Sequence, residues 1–329
     1  MTQTTQHTQT RPAGSAAGAP AAADGERPVR EHTLALTLSY NGAPFSGFAR
    51  QPGQLTVQGD VEAALELLFR RPIETTCAGR TDAGVHALGQ VVSFDVDDVD
   101  IAGRSLPSLR RSLNALTHED VSITAVEERP LGFSARFDAL WREYHYHIST
   151  EAARPVLVAP LVWHLGGGAL DLDAMRAGAA FLKGEHDFKS FCLAASAVGK
   201  STVRDVRELE VYQEEIVGCP VVTVRVVGSA FLHSMVRTIV GTLVTVGRGR
   251  QDAAWVRQVL EARERAAAGE NAPASGLVFW RVGYPDECAP LRSSAGSCVS
   301  AGMGDNARQA ACAPDGVRSS GDAPSSDRA

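Results

Sequence analysis

Twice along this chain the apolar spacing changes from every second residue to helical spacing and back in one order, strand, helix, strand, strand, helix, strand, and few folds accept that order. In the first pass Leu34, Leu36 and Leu38 alternate with Ala35, Thr37 and Ser39 up to a Tyr40-Asn41-Gly42 turn. Val57, Val61, Leu65 and Leu68 then recur at helical spacing within 56–70, strand-like runs cover 73–78 and 90–96, and a helix over 106–116 precedes a strand over 121–126. In the second pass Tyr144, Tyr146 and Ile148 alternate with Glu143, His145 and His147, 172–183 reads as a helix, and strands over 203–212 and 220–227 flank a Glu-rich turn. Helices over 231–246 and 253–263 and a strand over 277–282 complete it. Each pass has the split βαβ, ferredoxin-like order, although the halves share no clear sequence identity. The expected class is therefore α+β: two such subdomains, 31–140 and 141–285, joined edge to edge into one long, mainly antiparallel sheet with helices packed on it and a central cleft.

The segments outside that body, 1–30 and 286–329, are rich in Ala, Gly, Ser, Thr, Pro and Asp without periodicity. They cannot bury enough apolar surface to offset the entropy of ordering, so both tails are expected to be disordered. No apolar run reaches membrane-spanning length and no secretion signal opens the chain, which points to the cytoplasm. The six cysteines stand singly, without Cys-x-x-Cys pairs or metal-ligand spacing, so neither a disulfide framework nor a zinc site is expected. A net charge of −6 argues weakly against an anionic partner, but whole-chain charge is silent on clustering. Only Lys183, Lys189 and Lys200 are lysines, so such a partner would be met mostly by guanidinium groups.

The densest polar cluster lies in Cys77-Ala-Gly-Arg-Thr-Asp-Ala-Gly-Val-His86, a loop between two strand-like runs that includes Arg80, Thr81 and Asp82 beside Gly79 and Gly84. Strands at both ends make such a loop a rigid mount for a reactive side chain. On local chemistry alone the commoner role for Asp82 is a turn, its carboxylate accepting from the amides that follow. Arg237 lies in a run, 231–246, that is apolar on nearly every side. A buried guanidinium needs an acceptor, and Asp82 is a candidate; the alternative is an Arg at the helix edge with its head in water. Tyr144 by periodicity is strand core, with base stacking as the functional alternative. His186 and His233 read as structural, and the consecutive Glu185, His186 and Asp187 cannot all face one ion in regular structure.

These residues resemble those of the TruA-type tRNA pseudouridine synthases. The likeness runs through the loop motif with Gly89-Gln-Val-Val92, and through Thr56-Val-Gln58, Asn114-Ala-Leu116, Phe133-Ser-Ala-Arg-Phe137, Arg142-Glu-Tyr144, Gly184-Glu-His-Asp-Phe188, Lys200-Ser-Thr-Val-Arg204, Phe231-Leu-His233, Met235-Val-Arg237, Ile239-Val-Gly241 and Val246-Gly-Arg-Gly249, in the expected order. It implies isomerisation of uridine to pseudouridine in the anticodon stem-loop of tRNA, just 3′ of the anticodon, by a cytoplasmic homodimer needing no cofactor, metal or membrane. Carried over by position, Asp82 is the catalytic carboxylate, Arg80 helps displace the target base, Tyr144 stacks on the uracil, Arg237 pairs with Asp82, and Leu277 is a further substrate contact. Three places depart from the family pattern: Gly47-Phe48-Ala49-Arg50, Tyr40-Asn41-Gly42 and Gly228-Ser229-Ala230. Two other classes compete: a catalytically silent RNA-binding module, and a metal-dependent hydrolase built on Asp82, His86 and His186.

Overall fold

The computed structural model describes residues 31–193 and 199–285. Both tails expected to be disordered lie outside the described residues, as do Cys288, Cys298 and Cys312. The strands are β1 (His32–Tyr40), β2 (Thr76–Cys77), β3 (His86–Val96), β4 (Val121–Arg129), β5 (Trp141–Ser149), β6 (Trp163–His164), β7 (Gly184–Asp187), β8 (Val203–Ile216), β9 (Cys219–Gly228) and β10 (Leu277–Gly283). They form a 10-stranded sheet in the order β4-β1-β3-β10-β5-β9-β8-β7, with β2 on β3 and β6 on β5. Only β10 with β3 and β5 with β6 run parallel. The helices are α1 (Val57–Phe69), α2 (Asp98–Ile101), α3 (Leu106–Leu116), α4 (Leu172–Ala180), α5 (Met235–Gly247) and α6 (Ala253–Ala262). This is the long, mainly antiparallel α+β sheet that the periodicities predict.

The last strand among the described residues, β10, holds the middle of the sheet. β10 pairs with β3 through Val278 opposite His86 and Phe279 opposite Ala87, and on its other edge with β5 through Leu277 opposite Tyr146 and Phe279 opposite Tyr144. The first-half strands therefore reach the second-half strands through one connector, whose Phe279 is fully buried.

Two local expectations change. The strand expected over 73–78 shrinks to Thr76–Cys77, because the Thr75 amide and hydroxyl both donate to Glu62 of α1, each at 3.0 Å, and the Thr75 carbonyl accepts from Gln58. A side chain has taken the backbone groups that a ladder would use. The helix expected from 231 begins at Met235, because Ser234 takes a left-handed turn at φ 60°. Residues 184–187 form an edge strand on β8, so Glu185, His186 and Asp187 alternate between its faces.

α5 is buried along most of its length, with Ile239, Val240 and Leu243 fully inside. At Gly241 it passes so close to the 268–272 segment that a Cβ would lie 1.9 Å from the Glu270 carbonyl oxygen. The same approach lets the Gly269 amide donate to Thr242 Oγ1 and the Ala272 amide donate to the Arg237 carbonyl.

Behind β5, Glu143 accepts from Arg225 and Arg281, both at 2.7 Å, and lies 2.8 Å from His145 Nε2. Burial pushes its carboxyl up, but these three hydrogen bonds outweigh burial and hold it at about 2. Next along the strand, burial and then the neighbouring His145 push His147 down to about 4.

Two predictions follow from this packing. Gly241→Ala gains about 1 kcal/mol of helix propensity but drives a methyl into backbone, so a net loss of about 2 kcal/mol or more is expected in urea unfolding. Because folded His147 resists protonation that the unfolded chain accepts near pH 6.5, it contributes no penalty at neutral pH and a growing one as pH falls. Between about pH 7 and 5 that difference amounts to about 2 kcal/mol at roughly 1.4 kcal/mol per unit, and His147→Gln should remove that part of the measured slope.

Candidate active site

The loop between β2 and β3 is tied down on every side before its side chains are considered. Gln90 of β3 donates to the Gly79 carbonyl at 2.6 Å, the Ala78 amide donates to Val91, and the Phe48 amide donates to the Thr81 carbonyl at 3.0 Å. Thr81 Oγ1 lies 2.8 Å from the buried Tyr40 hydroxyl. Arg142 of β5 reaches across to clamp it: its guanidinium donates to the carbonyls of Ala78, Ala139, Ser229 and Arg136, at 3.0, 3.0, 2.7 and 2.5 Å. One buried cation therefore fixes the start of the loop against the chain leading into α5.

Asp82 does begin a turn, but with its backbone. Its carbonyl accepts from the Val85 amide at 3.1 Å, and Gly84 takes the positive φ, +77°, that such a turn requires. The carboxylate is left out of the turn and points at the N-terminus of α5. There Oδ2 accepts from Arg237 Nη1 at 3.1 Å and from Ser234 Oγ at 3.0 Å, while His233 Nε2 lies 3.3 Å from Oδ1. The Asp82 side chain is 24% exposed and that of Arg237 is 16% exposed. Arg237 is itself aimed by a second bond, Nε to the Ala272 carbonyl at 2.7 Å. The pairing expected from an unpartnered cation in an apolar helix is present.

These groups line a cleft of about 750 Å³. Its wall includes Arg80, Arg136, Arg142, Lys200, Arg204 and Arg237, and Asp82 is the single carboxylate among the described residues lining it. A chain of net charge −6 thus presents a cationic cleft, the kind of surface that draws a polyanion. Arg80 is exposed in it, and no bond from its guanidinium to another described residue is present. At the 133–137 turn the Arg136 guanidinium lies 5.3 Å from the centroid of the exposed Phe137 ring.

Tyr144 lies in the wall with its ring edge-on to Phe231 and Phe279, at 5.1 and 5.0 Å between centroids. Burial, reinforced by Tyr40, pushes its phenol well above the ordinary value, so the hydroxyl stays neutral. Leu277, 5% exposed, also lines the cleft. Burial raises the Cys77 thiol to about 11, leaving it protonated beside the loop.

The residues read from the sequence as Asp82, Arg80, Tyr144, Arg237 and Leu277 therefore share one cleft. His86 and His186 do not join Asp82: His86 Nδ1 accepts from the Gly42 amide, and His186 lies on β7 at the far edge of the sheet. Among the described residues no group of three or more His, Cys, Asp or Glu is arranged to hold a metal. Read from the sequence, His233 is structural and Ser234 is not singled out; His233 closes the quoted Phe231-Leu-His233 motif and Ser234 follows it, but nothing in the helical periodicity announces the turn that brings them to Asp82.

Because the Tyr144 hydroxyl makes no hydrogen bond to another described residue, Tyr144→Phe should leave stability within about 0.5 kcal/mol of the parent. Removing the ring with Tyr144→Ala should cost about 3–5 kcal/mol, both read from denaturant midpoints.

Comparison with known proteins points in one direction. A family profile described as tRNA pseudouridine synthase matches residues 37–138 and 179–285. A protein named tRNA pseudouridine synthase A from Frankia casuarinae is 45% identical over 259 residues, covering 77% of this chain and 90% of that one. Its namesake from Brevibacillus brevis is 44% identical over 252 residues, covering 76% and 99%, and that from Thermotoga maritima 39% identical over 249 residues, covering 76% and 98%.

Proposed function

The chain belongs to the TruA family of tRNA pseudouridine synthases, isomerases that act on tRNA, and from that premise we propose that Asp82 performs the isomerisation on a uridine of the anticodon stem-loop. The observation that carries this reading is the carboxylate itself: one acid among six cations in the described lining of the cleft, held at Oδ2 by Arg237 and Ser234, with His233 Nε2 3.3 Å from Oδ1.

The reaction breaks C1′–N1, turns the uracil and forms C1′–C5; the proton on C5 leaves to solvent and N1 takes up a proton, so the product is an isomer of the substrate. An ionised carboxylate can begin this by attack at the sugar or base, or by taking the 2′ proton. Arg237 serves each route by holding Asp82 Oδ2 in place through its 3.1 Å bond. A stem uridine must first leave its stack, which costs a few kcal/mol. Arg80, unpaired and exposed at the loop, is placed to occupy the vacated space. The Tyr144 ring and Leu277 form the apolar wall against which the uracil lies. The exposed cations Arg80, Arg136 and Lys200 meet phosphates, with the half-buried Arg204 beside them, and Phe137 offers a face on which a neighbouring base can stack.

The chain acts as a homodimer in the cytoplasm on this reading. Val156, Leu157, Leu161 and Val217 are exposed apolar side chains in two segments joined by the packing of Val158 and Val162 against Cys219 and Val221. A second copy is the partner such a surface suits.

Asp82→Asn keeps the side chain's shape and one acceptor oxygen and removes the charge. Incubated with tRNA carrying 5-tritiated uridine and EDTA, it is expected to release no tritium above background while binding tRNA as the parent does. Turnover near the parent rate would remove Asp82 from the mechanism. Abolition of the parent's activity by EDTA would point to a metal-dependent reaction instead.

A further inference from the structure

The serine at the start of α5 does not cap it. A serine in that position ordinarily takes extended backbone and turns its side-chain oxygen onto an amide two or three residues on, which stabilises the helix start. Ser234 does neither: it adopts φ 60° and ψ 10°, and its side chain makes no capping bond to the first turn. The Thr238 amide still donates to the Ser234 carbonyl at 3.0 Å, so the helix begins here all the same. The hydroxyl donates instead to Asp82 Oδ2, also at 3.0 Å and from 152 positions further along the chain. One residue thus gives up a cap and holds the left-handed region that side chains adopt at a cost, and strain of that kind concentrates at functional sites.

The partner of this bond is specific. Ser234 precedes α5 and Arg237 is the third residue of the helix, so the two lie on one face of its first turn and meet the same oxygen, Arg237 Nη1 standing 3.1 Å from Oδ2. The torsion that turns an aspartate carboxylate about Cβ–Cγ is broad and holds the group weakly by itself. A single donor leaves the carboxylate free to swing about that contact. A second donor, on a side chain with one rotatable bond between Oγ and the backbone, fixes Oδ2 and with it the plane of the group.

Resting on the reading that Asp82 is the reacting group, we propose that Ser234 is a positioning residue for the isomerisation: its hydroxyl, turned from the helix start to Asp82 Oδ2, sets the orientation in which the carboxylate meets the uridine. Orientation enters the rate directly, since a reacting group displaced by about 1 Å can lose on the order of a hundredfold.

Rate and stability should then respond in opposite senses at this position. Glycine takes positive φ freely but has no hydroxyl, whereas threonine keeps the hydroxyl on a branched Cβ that left-handed backbone accommodates poorly.

The test is single-turnover release of tritium from tRNA carrying 5-tritiated uridine, at saturating enzyme, for the parent, Ser234→Gly, Ser234→Ala, Ser234→Thr and Asp82→Asn, with tRNA affinity and urea midpoints measured alongside. Ser234→Gly is expected to unfold at or above the parent's midpoint and yet lose about tenfold or more in rate, at unchanged affinity. Ser234→Ala should lose as much. Ser234→Thr should unfold at a lower midpoint and keep most of the parent's rate. Rates that follow the midpoints, with Ser234→Gly as fast as the parent, would make the turn a structural feature only and overturn the proposal. Weakened tRNA affinity at an unchanged rate would make Ser234 an RNA contact and overturn it too. A parent-like rate in Ser234→Gly with Asp82→Asn inactive would leave the role of Asp82 intact, whereas full turnover by Asp82→Asn would overturn both. Should Ser234→Thr fail to fold, the rate of Ser234→Gly decides.

Discussion

A carboxylate with three quarters of its side chain out of water must be met by positive charge, and here the cation comes from 155 positions further along the chain. Either partner left alone would be an uncompensated charge in a poorly hydrated place. That requirement couples the two halves of the sheet more tightly than apolar packing alone. The loop bearing Asp82 hangs between β2 and β3, and Arg237 sits in the first turn of α5, so the pair forms only when β10 has joined β3 to β5.

The supports around the pair follow from this. Arg142 spends its guanidinium on four backbone carbonyls, so it fixes the loop against the approach to α5. Gln90 and Tyr40 hold the loop from the first-half strands. The close passage at Gly241 keeps the Ala272 carbonyl where Arg237 Nε can reach it. The reactive group is small, and much of the fold is devoted to keeping it still.

Much of this was legible in the residues. Alternation through Leu34, Leu36 and Leu38 and through Tyr144, Tyr146 and Ile148 marked strands because those side chains are buried on one face. Arg237 was legible for the opposite reason, since a guanidinium in an apolar run requires an acceptor. What the sequence hid was set by long-range bonds. Nothing local says that Glu62 will take the Thr75 amide and cut a strand to two residues, or that Ser234 will turn left-handed and bring His233 to Asp82. Net charge misled in the same way: the acids that make the chain anionic lie elsewhere, and the cleft wall carries one.

The measurement that bears most directly on the pairing of Asp82 with a distant guanidinium is the single-turnover rate of Arg237→Met at saturating enzyme. Loss of a charge-assisted bond worth about 3 kcal/mol corresponds to on the order of a hundredfold in rate, with tRNA still bound. A rate within about twofold of the parent, a difference of under 0.5 kcal/mol, would mean that Asp82 does its work without Arg237.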